Sequence, residues 1–148
     1  MTILRLEIAS RIVEGALKRA AELVLKPMTV AVLDGGGHLI AFKRQDRSGI
    51  LRPDIAVGKA WGTLGMGAGG RSLAQRAAAA PAFYAALVGA SQGRIIPVAG
   101  GVLVLDTNRE ILGAVGVSGD LPDHDESCAV YGIEQAGLVA GTGEIAHP

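Results

Sequence analysis

Cysteine, aromatic residues and net charge are all scarce in this sequence. Cys128 is the only cysteine, so an intrachain disulfide is excluded and nothing in the cysteine count favours an oxidising compartment. One tryptophan, two tyrosines and two phenylalanines leave little surface on which bases could stack. Fourteen basic residues balance fourteen acidic ones, so no global field attracts phosphate backbones or anionic membranes. We therefore expect neither a nucleic-acid partner nor a membrane partner.

Long apolar runs are also missing. No window reaches the roughly 18 uncharged apolar residues that a membrane-spanning helix needs. Near the N-terminus, charges at Arg5, Glu7 and Arg11 interrupt the stretch in which a signal peptide would be apolar. The sequence therefore predicts a cytoplasmic protein. Since a chain of 148 residues can bury a core of its own, we expect residues 1–148 to form a single domain.

Histidine is too sparse for an obvious metal site. The three histidines are His38, His124 and His147, and none of them is part of a His-x-x-x-His spacing. Structural or catalytic zinc sites normally need a denser set of ligands. We therefore predict no structural or catalytic zinc site.

Apolar periodicity and glycine turns define the first half of the fold. Residues 6–25 carry apolar side chains at three- and four-residue steps, which predicts a helix. Pro27 ends that helix, and residues 28–34 form a β-branched run typical of a buried strand. The glycines at 35–37 supply the φ values of a tight reversal, so residues 38–44 should return antiparallel to the first strand.

The second half of the sequence repeats this alternation of helices and a hairpin. The pattern predicts helices over 53–67, 72–80, 81–90 and 122–139, a short strand over 94–98, and a hairpin of 101–105 with 111–117. Sequential hairpins indicate an antiparallel sheet, and the helices between and after them can cover it. The sequence therefore predicts an α+β fold.

Three segments match a recognisable pattern. They are Val30-Ala-Val-Leu-Asp34 with Gly37-His-Leu-Ile-Ala-Phe42 and Arg44-Gln-Asp46; Ile55-Ala56 with Lys59-Ala60; and Gly100-Gly101 with Leu112-Gly-Ala-Val-Gly-Val-Ser-Gly119, Asp125-Glu126 and Cys128-Ala129. Together they resemble the family of small haem-binding or haem-degrading proteins that includes GlcG, HbpS and the C-terminal domain of PduO-type corrinoid adenosyltransferases. The chain departs from the family pattern at Leu103, where a proline is usual, and residues 64–93 contain no matching motif.

The resemblance implies both a fold and a ligand. It implies a profilin-like or longin-like sheet of about five strands covered by helices, assembled as a homo-oligomer such as a dimer or an octamer. It also implies haem as a ligand. Members of the family occur in catabolic operons, and the family name by itself fixes no reaction. Self-association is also favoured by the alanine- and leucine-rich composition, which can leave apolar helix faces for a symmetric neighbour to cover.

Glycines next to predicted strand ends suggest a ligand pocket. Gly100 and Gly101 begin one strand, and Ser118 and Gly119 follow another. Glycine in a strand lets a ligand or another backbone approach closely, and free amides at the start of the last helix could hold a carboxylate or propionate. The alternative is that these glycines only relieve crowding beneath a helix.

Five charged or titratable residues are candidates for chemistry at this pocket. His124 and Asp125 belong to an acidic helix start, where carboxylates would favour a protonated histidine as a general acid, although acids there are also ordinary capping residues. Arg44, Asp46 and Lys59 could form a recess for a carboxylate-bearing ligand, but surface ion pairs would look the same in the sequence.

His38 is a sixth candidate, because it follows the glycine turn directly. Its side chain could reach haem iron or could simply lie at the solvent edge.

Three functions remain open from the sequence. The first is binding of haem or a related small ligand in a glycine-lined pocket. The second is an enzyme or accessory protein that acts on a small organic acid, with Lys59 and Arg44 binding the carboxylate and His124 or Asp125 moving protons. The third is a purely structural assembly module. The first two require that both hairpins join one sheet, so that the paired glycines and Ser118 border one cavity near Lys59.

Overall fold

The computed structural model describes residues 3–145. Residues 1, 2 and 146–148 lie outside the described part, and His147 is among them. The elements in chain order are α1 (Leu6–Glu22), β1 (Thr29–Asp34), β2 (Leu39–Arg44), α2 (Arg52–Met66), α3 (Gly70–Ala79), α4 (Pro81–Ala90), β3 (Gly101–Leu105), β4 (Ile111–Ser118), α5 (Pro122–Gln135) and β5 (Val139–Gly141). Among these residues, none of the helices combines the length and apolarity needed to cross a bilayer.

The strands form one antiparallel sheet in the order β2-β1-β4-β3-β5. The two predicted hairpins, β1–β2 and β3–β4, are joined where β1 pairs with β4. Thr29 lies opposite Ser118 on β4 and opposite Arg44 on β2. This sheet of five strands, with helices on its faces, confirms the α+β fold predicted from the sequence.

Alternation along the strands separates two apolar layers. One face of the sheet packs on α1 and α5 through Val30, Val32, Val102, Val104, Val115 and Val117. The other face packs on α2 through Leu33, Ala60, Leu103, Leu105 and Ala114. Because successive strand residues point to opposite faces, the same strands serve both layers. The sheet is therefore buried between α2 on one side and the α1–α5 pair on the other.

Glycines allow α2 to lie directly on the sheet. A Cβ atom built at Gly116 would be 1.7 Å from the carbonyl oxygen of Ala56, and one at Gly101 would be 2.4 Å from the carbonyl oxygen of Lys59. Real Cβ atoms do not approach other heavy atoms this closely, so both positions admit only glycine without a shift of α2.

Two sequence predictions about elements are wrong. Residues 94–98 are not a strand, because they run alongside α2, where the amide of Ile96 donates to the carbonyl of Gly58 over 3.2 Å. The last helix ends at Gln135 rather than at residue 139, since the chain turns at Gly137 with φ of 81°. Residues beyond that turn form β5, which pairs with β3 at the sheet edge.

Candidate functional site

The turn between β1 and β2 holds the His38 imidazole in a defined place. Asp34 ends β1, and its carboxylate accepts hydrogen bonds from the amides of Gly36 (3.0 Å) and His38 (2.9 Å). Gly37 adopts the positive φ of 84° that the reversal requires. In this geometry Nδ1 of His38 lies 3.0 Å from Oδ1 of Asp34. The same carboxylate thus orders both the turn and the imidazole.

The Asp34–His38 pair leaves one ring nitrogen available. Partial burial opposes ionisation of Asp34, but the hydrogen bonds from His38 and Gly36 outweigh it and hold the pKa of the carboxyl below its ordinary value. With Nδ1–H donated to this carboxylate, the lone pair of His38 lies on Nε2. The His38 side chain is 81% exposed. Its Nε2 is therefore open to a ligand.

His38 lies at the rim of a cleft between the two hairpin turns, here called the sheet-end cleft. The cleft has a volume of about 670 Å³. Its lining combines aliphatic side chains with the acids of both turns: Ile3, Leu4, Asp34, Gly35, Gly36, His38, Asp106, Glu110, Ile111 and Leu112. Asp106 uses one carboxylate oxygen to accept the amides of Asn108 and Glu110. The arrangement offers an aliphatic slot with an imidazole at its mouth.

Lys59 and Asp125 form a buried ion pair near the opposite end of the sheet. Nζ of Lys59 donates to Oδ2 of Asp125 (3.1 Å) and to the carbonyl of Val117 (2.9 Å). The two side chains are 3% and 1% exposed. The other oxygen of Asp125 accepts the amide of Asp120 over 2.9 Å. This buried polar cluster joins α2, β4 and α5.

Burial shifts the pKa values of both Lys59 and Asp125. Desolvation lowers the pKa of Lys59 and raises the pKa of Asp125, while the attraction between the two charges opposes both shifts. Arg52 adds to the lowering of the Lys59 pKa, since it is a second cation nearby. Arg52 also donates to Oγ of Ser118 over 3.0 Å, so Ser118 too belongs to this packed network.

The glycine-lined cavity predicted near Lys59 is filled by protein atoms. A Cβ built at Gly100 would be 2.7 Å from Nζ of Lys59, and one at Gly119 would be 2.4 Å from the carbonyl oxygen of Pro27. The sheet does bring Gly100, Gly101 and Ser118 to the Lys59 side chain or its helix, as the sequence predicts, whereas Gly119 packs on Pro27 and Met28. These glycines make room for protein atoms, which is the crowding alternative stated above.

His124 and Asp125 do not act as a pair. Asp125 points into the protein toward Lys59, whereas Nδ1 of His124 lies 2.7 Å from Oδ1 of Asp120. The backbone amide of Lys26, then the His124 side chain, then the amide of Leu121 hold the pKa of Asp120 well below its ordinary value. Sequence reasoning missed both aspartates that contact the histidines. The shared Asp-x-x-x-His spacing of Asp34–His38 and Asp120–His124 is the signal that could have found them.

Arg44 and Asp46 line a separate open recess of about 510 Å³ with Leu25, Pro27 and Gln45. Arg44 donates to the backbone carbonyl of Ser48 over 2.8 Å. Lys59 lies beneath α2 against Asp125 instead, so the three residues do not form the common recess that the sequence suggests. A ligand-binding role for Arg44 and Asp46 stays a prediction.

Comparison with known proteins gives relatives over almost the whole chain. An uncharacterised 15.0 kDa protein encoded between dhaT and dhaS in Citrobacter freundii is 26% identical over 126 residues, which cover 85% of this chain and 87% of that protein. A double variant of HbpS from Streptomyces reticuli superposes with a TM-score of 0.78 at 28% identity, covering 90% of this chain and 87% of that one.

A solved complex of PduOC with haem shares the fold. It has a TM-score of 0.83 at 22% identity and covers 97% of this chain and all of that chain. The family model described as haem degrading protein HbpS-like matches residues 4–134. Since this match extends over most of the 148 residues, the chain belongs to the HbpS-like family.

Proposed function

We propose that this protein binds haem in the sheet-end cleft with His38 as the iron ligand. The observation that carries the proposal is the exposed imidazole whose Nδ1 is held by Asp34 at the mouth of an aliphatic slot. Histidines that ligate metals almost always donate their other ring N–H to a carboxylate, a carbonyl or water, which fixes the ring and raises its basicity. Histidine is also the commonest protein ligand of haem iron in globins and peroxidases.

The aliphatic residues of the cleft suit a flat apolar ligand, while its acids, Asp34, Asp106 and Glu110, lie at the two turns. Ile3 and Ile111 are exposed and offer aliphatic contacts at the rim of the cleft, and the nearly buried Leu4 and Leu112 form its wall. Bound haem would supply an iron centre whose reactivity depends on its axial ligand and on the polarity of its pocket. The role of this chain is to hold the group and to orient His38 through Asp34. The solved relatives that include a haem complex support this choice of ligand.

Within residues 3–145, the candidate residues for an enzyme acting on a small organic acid do not come together. Lys59 is already paired and buried, and His124 and Asp125 face different ways. We assign the buried polar cluster, with Gly100 and Gly101, the role of fixing α2 and α5 on the sheet.

Titration with hemin tests the proposal. The purified protein is expected to give a saturable, shifted Soret band, and His38→Ala to lose that shift or weaken binding strongly. Asp34→Asn keeps His38 but removes the carboxylate that holds Nδ1 of its ring. Hemin binding should therefore weaken by roughly 10-fold to 100-fold.

The matched control is His124→Ala, which removes an imidazole held by an aspartate in the same way but distant in the chain from the cleft. We expect this variant to bind hemin as the unaltered protein does. Absorbance that never saturates, or equal binding by the His38→Ala and His124→Ala variants, would contradict the assignment of His38.

We further infer that the protein works as a homo-oligomer. Helix α4 carries no charged residue and is mostly exposed in the single chain, with Phe83 57% and Val88 38% exposed. Contiguous apolar surface on a small protein marks an interaction site, and most soluble assemblies are symmetric homo-oligomers. Light scattering at micromolar concentration should give a mass of at least twice 15.1 kDa. A mass equal to a single chain would refute the inference.

A further inference from the structure

The turn between β3 and β4 places an arginine in a backbone conformation that favours glycine. The amide of Arg109 donates to the carbonyl of Asp106 over 3.0 Å, which closes the turn, and Arg109 has a φ of 64°. This left-handed region is unfavourable for a residue with a Cβ atom, and hairpin loops usually place glycine or asparagine there. Glycine would form the same turn at lower cost, so the fold alone does not account for an arginine at this position.

The side chain of Arg109 is available to a ligand. Arg109 is exposed, and among residues 3–145 its guanidinium group forms neither an ion pair nor a side-chain hydrogen bond. In contrast, the nearby Arg76 donates to both carboxylate oxygens of Glu144. Arg109 therefore supplies a positive charge that the described part of the chain does not neutralise by pairing.

Arg109 lines a recess that adjoins the sheet-end cleft. This recess, here called the Arg109 recess, has a volume of about 680 Å³ and is lined in part by Arg76, Arg109 and Glu144. Glu110 and Ile111 line both the Arg109 recess and the sheet-end cleft. Ile111 is exposed at the border between them. A ligand bound in the sheet-end cleft can therefore extend across Ile111 toward Arg109.

The charges of the sheet-end cleft favour a cation at the edge of the ligand. Haem carries propionate carboxylates, and the cleft already contains the acids Asp34, Asp106 and Glu110. Because like charges repel, bound haem is favoured when its propionates point away from these acids and meet a cation. The planar guanidinium of arginine matches a carboxylate through two parallel hydrogen bonds. Arg109 has the chemistry that this edge of the ligand needs.

We propose that Arg109 binds a propionate carboxylate of the haem that His38 holds, and thereby selects ligands that carry a carboxylate. The inference rests on the haem binding proposed above and names the residue that recognises the polar edge of the ligand. His38 holds the iron, Ile111 contacts the ring, and Arg109 binds the carboxylate.

Arg94 is the weaker candidate for this role. Its guanidinium carbon lies 4.2 Å from the centroid of the Trp61 ring, and its Nε donates to the carbonyl of Ser91 over 2.9 Å. Trp61 in turn lies against the β1–β2 turn, where a Cβ built at Gly37 would be 3.1 Å from the indole nitrogen. Arg94 is therefore already used in packing α2 against that turn, whereas Arg109 has no such contact among residues 3–145.

Replacement of Arg109 by glycine separates ligand binding from folding. Arg109→Gly is expected to weaken hemin binding by roughly 5-fold to 20-fold, between the effect of an exposed ion pair and that of a hydrogen bond to a charged group. The same change relieves the unfavourable φ, so the melting temperature of the ligand-free variant should equal or exceed that of the parent. Soret titration and thermal unfolding measure the two effects.

Hemin dimethyl ester gives a second readout, because it keeps the iron and the ring but has no free carboxylate. The ester should bind the parent more weakly than hemin does, and Arg109→Gly should not weaken it further. The matched control is Arg47→Gly, since Arg47 is also exposed and has a φ of 70°, but follows β2 whereas His38 precedes it. This variant should bind hemin as the parent does.

The outcomes distinguish this assignment from the haem site itself. If the parent binds hemin and Arg109→Gly binds it equally well, the assignment of Arg109 is wrong although the haem site holds. The assignment is also wrong if Arg109→Gly weakens hemin and the ester to the same extent and lowers the melting temperature, because that result shows a structural role. A parent protein that does not bind hemin saturably would overturn both proposals.

Discussion

The ion pair of Lys59 and Asp125 is the most consequential polar contact at the scale of single residues. Both groups lie out of water, so each needs the other to satisfy its charge. Removing one partner of a buried pair is strongly destabilising, because it leaves an uncompensated charge, whereas replacing both partners together is often nearly neutral. Stability therefore depends on the match between the two residues more than on the presence of either charge.

Lys59→Met should lower the free energy of unfolding by about 3 to 5 kcal/mol, because it leaves the buried Asp125 carboxylate without a cation. The double variant Lys59→Met/Asp125→Asn should recover much of this loss, since asparagine can still accept the amide of Asp120. Urea unfolding at neutral pH measures both changes.

The control for this pair is Lys43→Met. Lys43 also pairs with an acid, Glu14, but both side chains are more than half exposed, so the loss should be below about 1 kcal/mol. Equal losses for the Lys59 and Lys43 variants, or a double variant no more stable than Lys59→Met alone, would show that the buried pair is not coupled as described.

Sequence reasoning at this scale found residues but not their partners. His38 was recognisable because it follows the glycine turn, and the structure adds Asp34, four residues earlier, as the group that orients it. The sequence around Lys59 favours a ligand-binding cation, yet its charge is neutralised by Asp125, 66 residues later in the chain. A contact so distant in sequence depends on how α2 and α5 meet at the sheet, which the local pattern around either residue does not contain.

Helix α2 and strand β4 show what the glycines do at the scale of elements. The carbonyl of Ala56 occupies the place where a side chain on residue 116 would begin. Gly116→Ala should therefore push α2 away from the sheet and destabilise the protein by roughly 1 to 3 kcal/mol or more, the range for overpacked cores. Thermal or urea unfolding measures the effect.

Gly65→Ala is the matched control, because Gly65 belongs to α2 itself. A Cβ there meets only the Trp61 ring, at an ordinary 3.8 Å, and alanine favours the helix by roughly 0.5 to 1 kcal/mol. We expect this variant to be as stable as the parent or more so. If Gly116→Ala is as stable as the parent, then α2 lies farther from the sheet at residue 116 than described above.

The elements that the sequence predicted well are those defined by local turns and periodicity. Both hairpins are correct because glycines or polar residues mark their reversals, and α2 is correct because its apolar spacing is helical. The sequence does not predict β5, because Val139–Gly141 is only three residues long and shows no alternation of apolar and polar residues. The border glycines were open to two interpretations for a related reason. A glycine in a strand indicates that another group approaches the strand backbone closely, but it does not show whether that group is a ligand or a helix.

The two ends of the sheet differ at the scale of the whole molecule. β1 runs from Thr29, level with Ser118 and the buried polar cluster, to Asp34, at the sheet-end cleft. Charged and hydroxyl groups are tied to one another at the first end, whereas at the second end the His38 imidazole faces solvent beside an open cleft. The proposed haem site therefore lies at the end of the sheet opposite the buried polar cluster, and that cluster can support the fold without taking part in binding.

The end of the sheet that holds the buried polar cluster should also control stability in acid, through Asp120. Hydrogen bonds from the Lys26 amide, His124 and the Leu121 amide lower the pKa of this carboxyl from its ordinary 3.8, so the folded state favours its ionised form. The resulting stabilisation is complete above that ordinary value and is lost as the pH falls toward the lower pKa of the folded state.

Asp120→Asn should therefore unfold more easily at pH 7, by roughly 1 to 3 kcal/mol, the scale of hydrogen bonds to a charged group. The deficit should shrink as the pH falls below about 4, where Asp120 of the unfolded parent chain begins to take up a proton, and should vanish near the lower pKa of the folded state. Urea unfolding across this pH range measures the difference, and Asp46→Asn, in an exposed loop, should show little deficit at any pH. A deficit for Asp120→Asn that stays constant down to the acid limit would mean that the ionised carboxylate is not what ties the β4–α5 connection to Lys26.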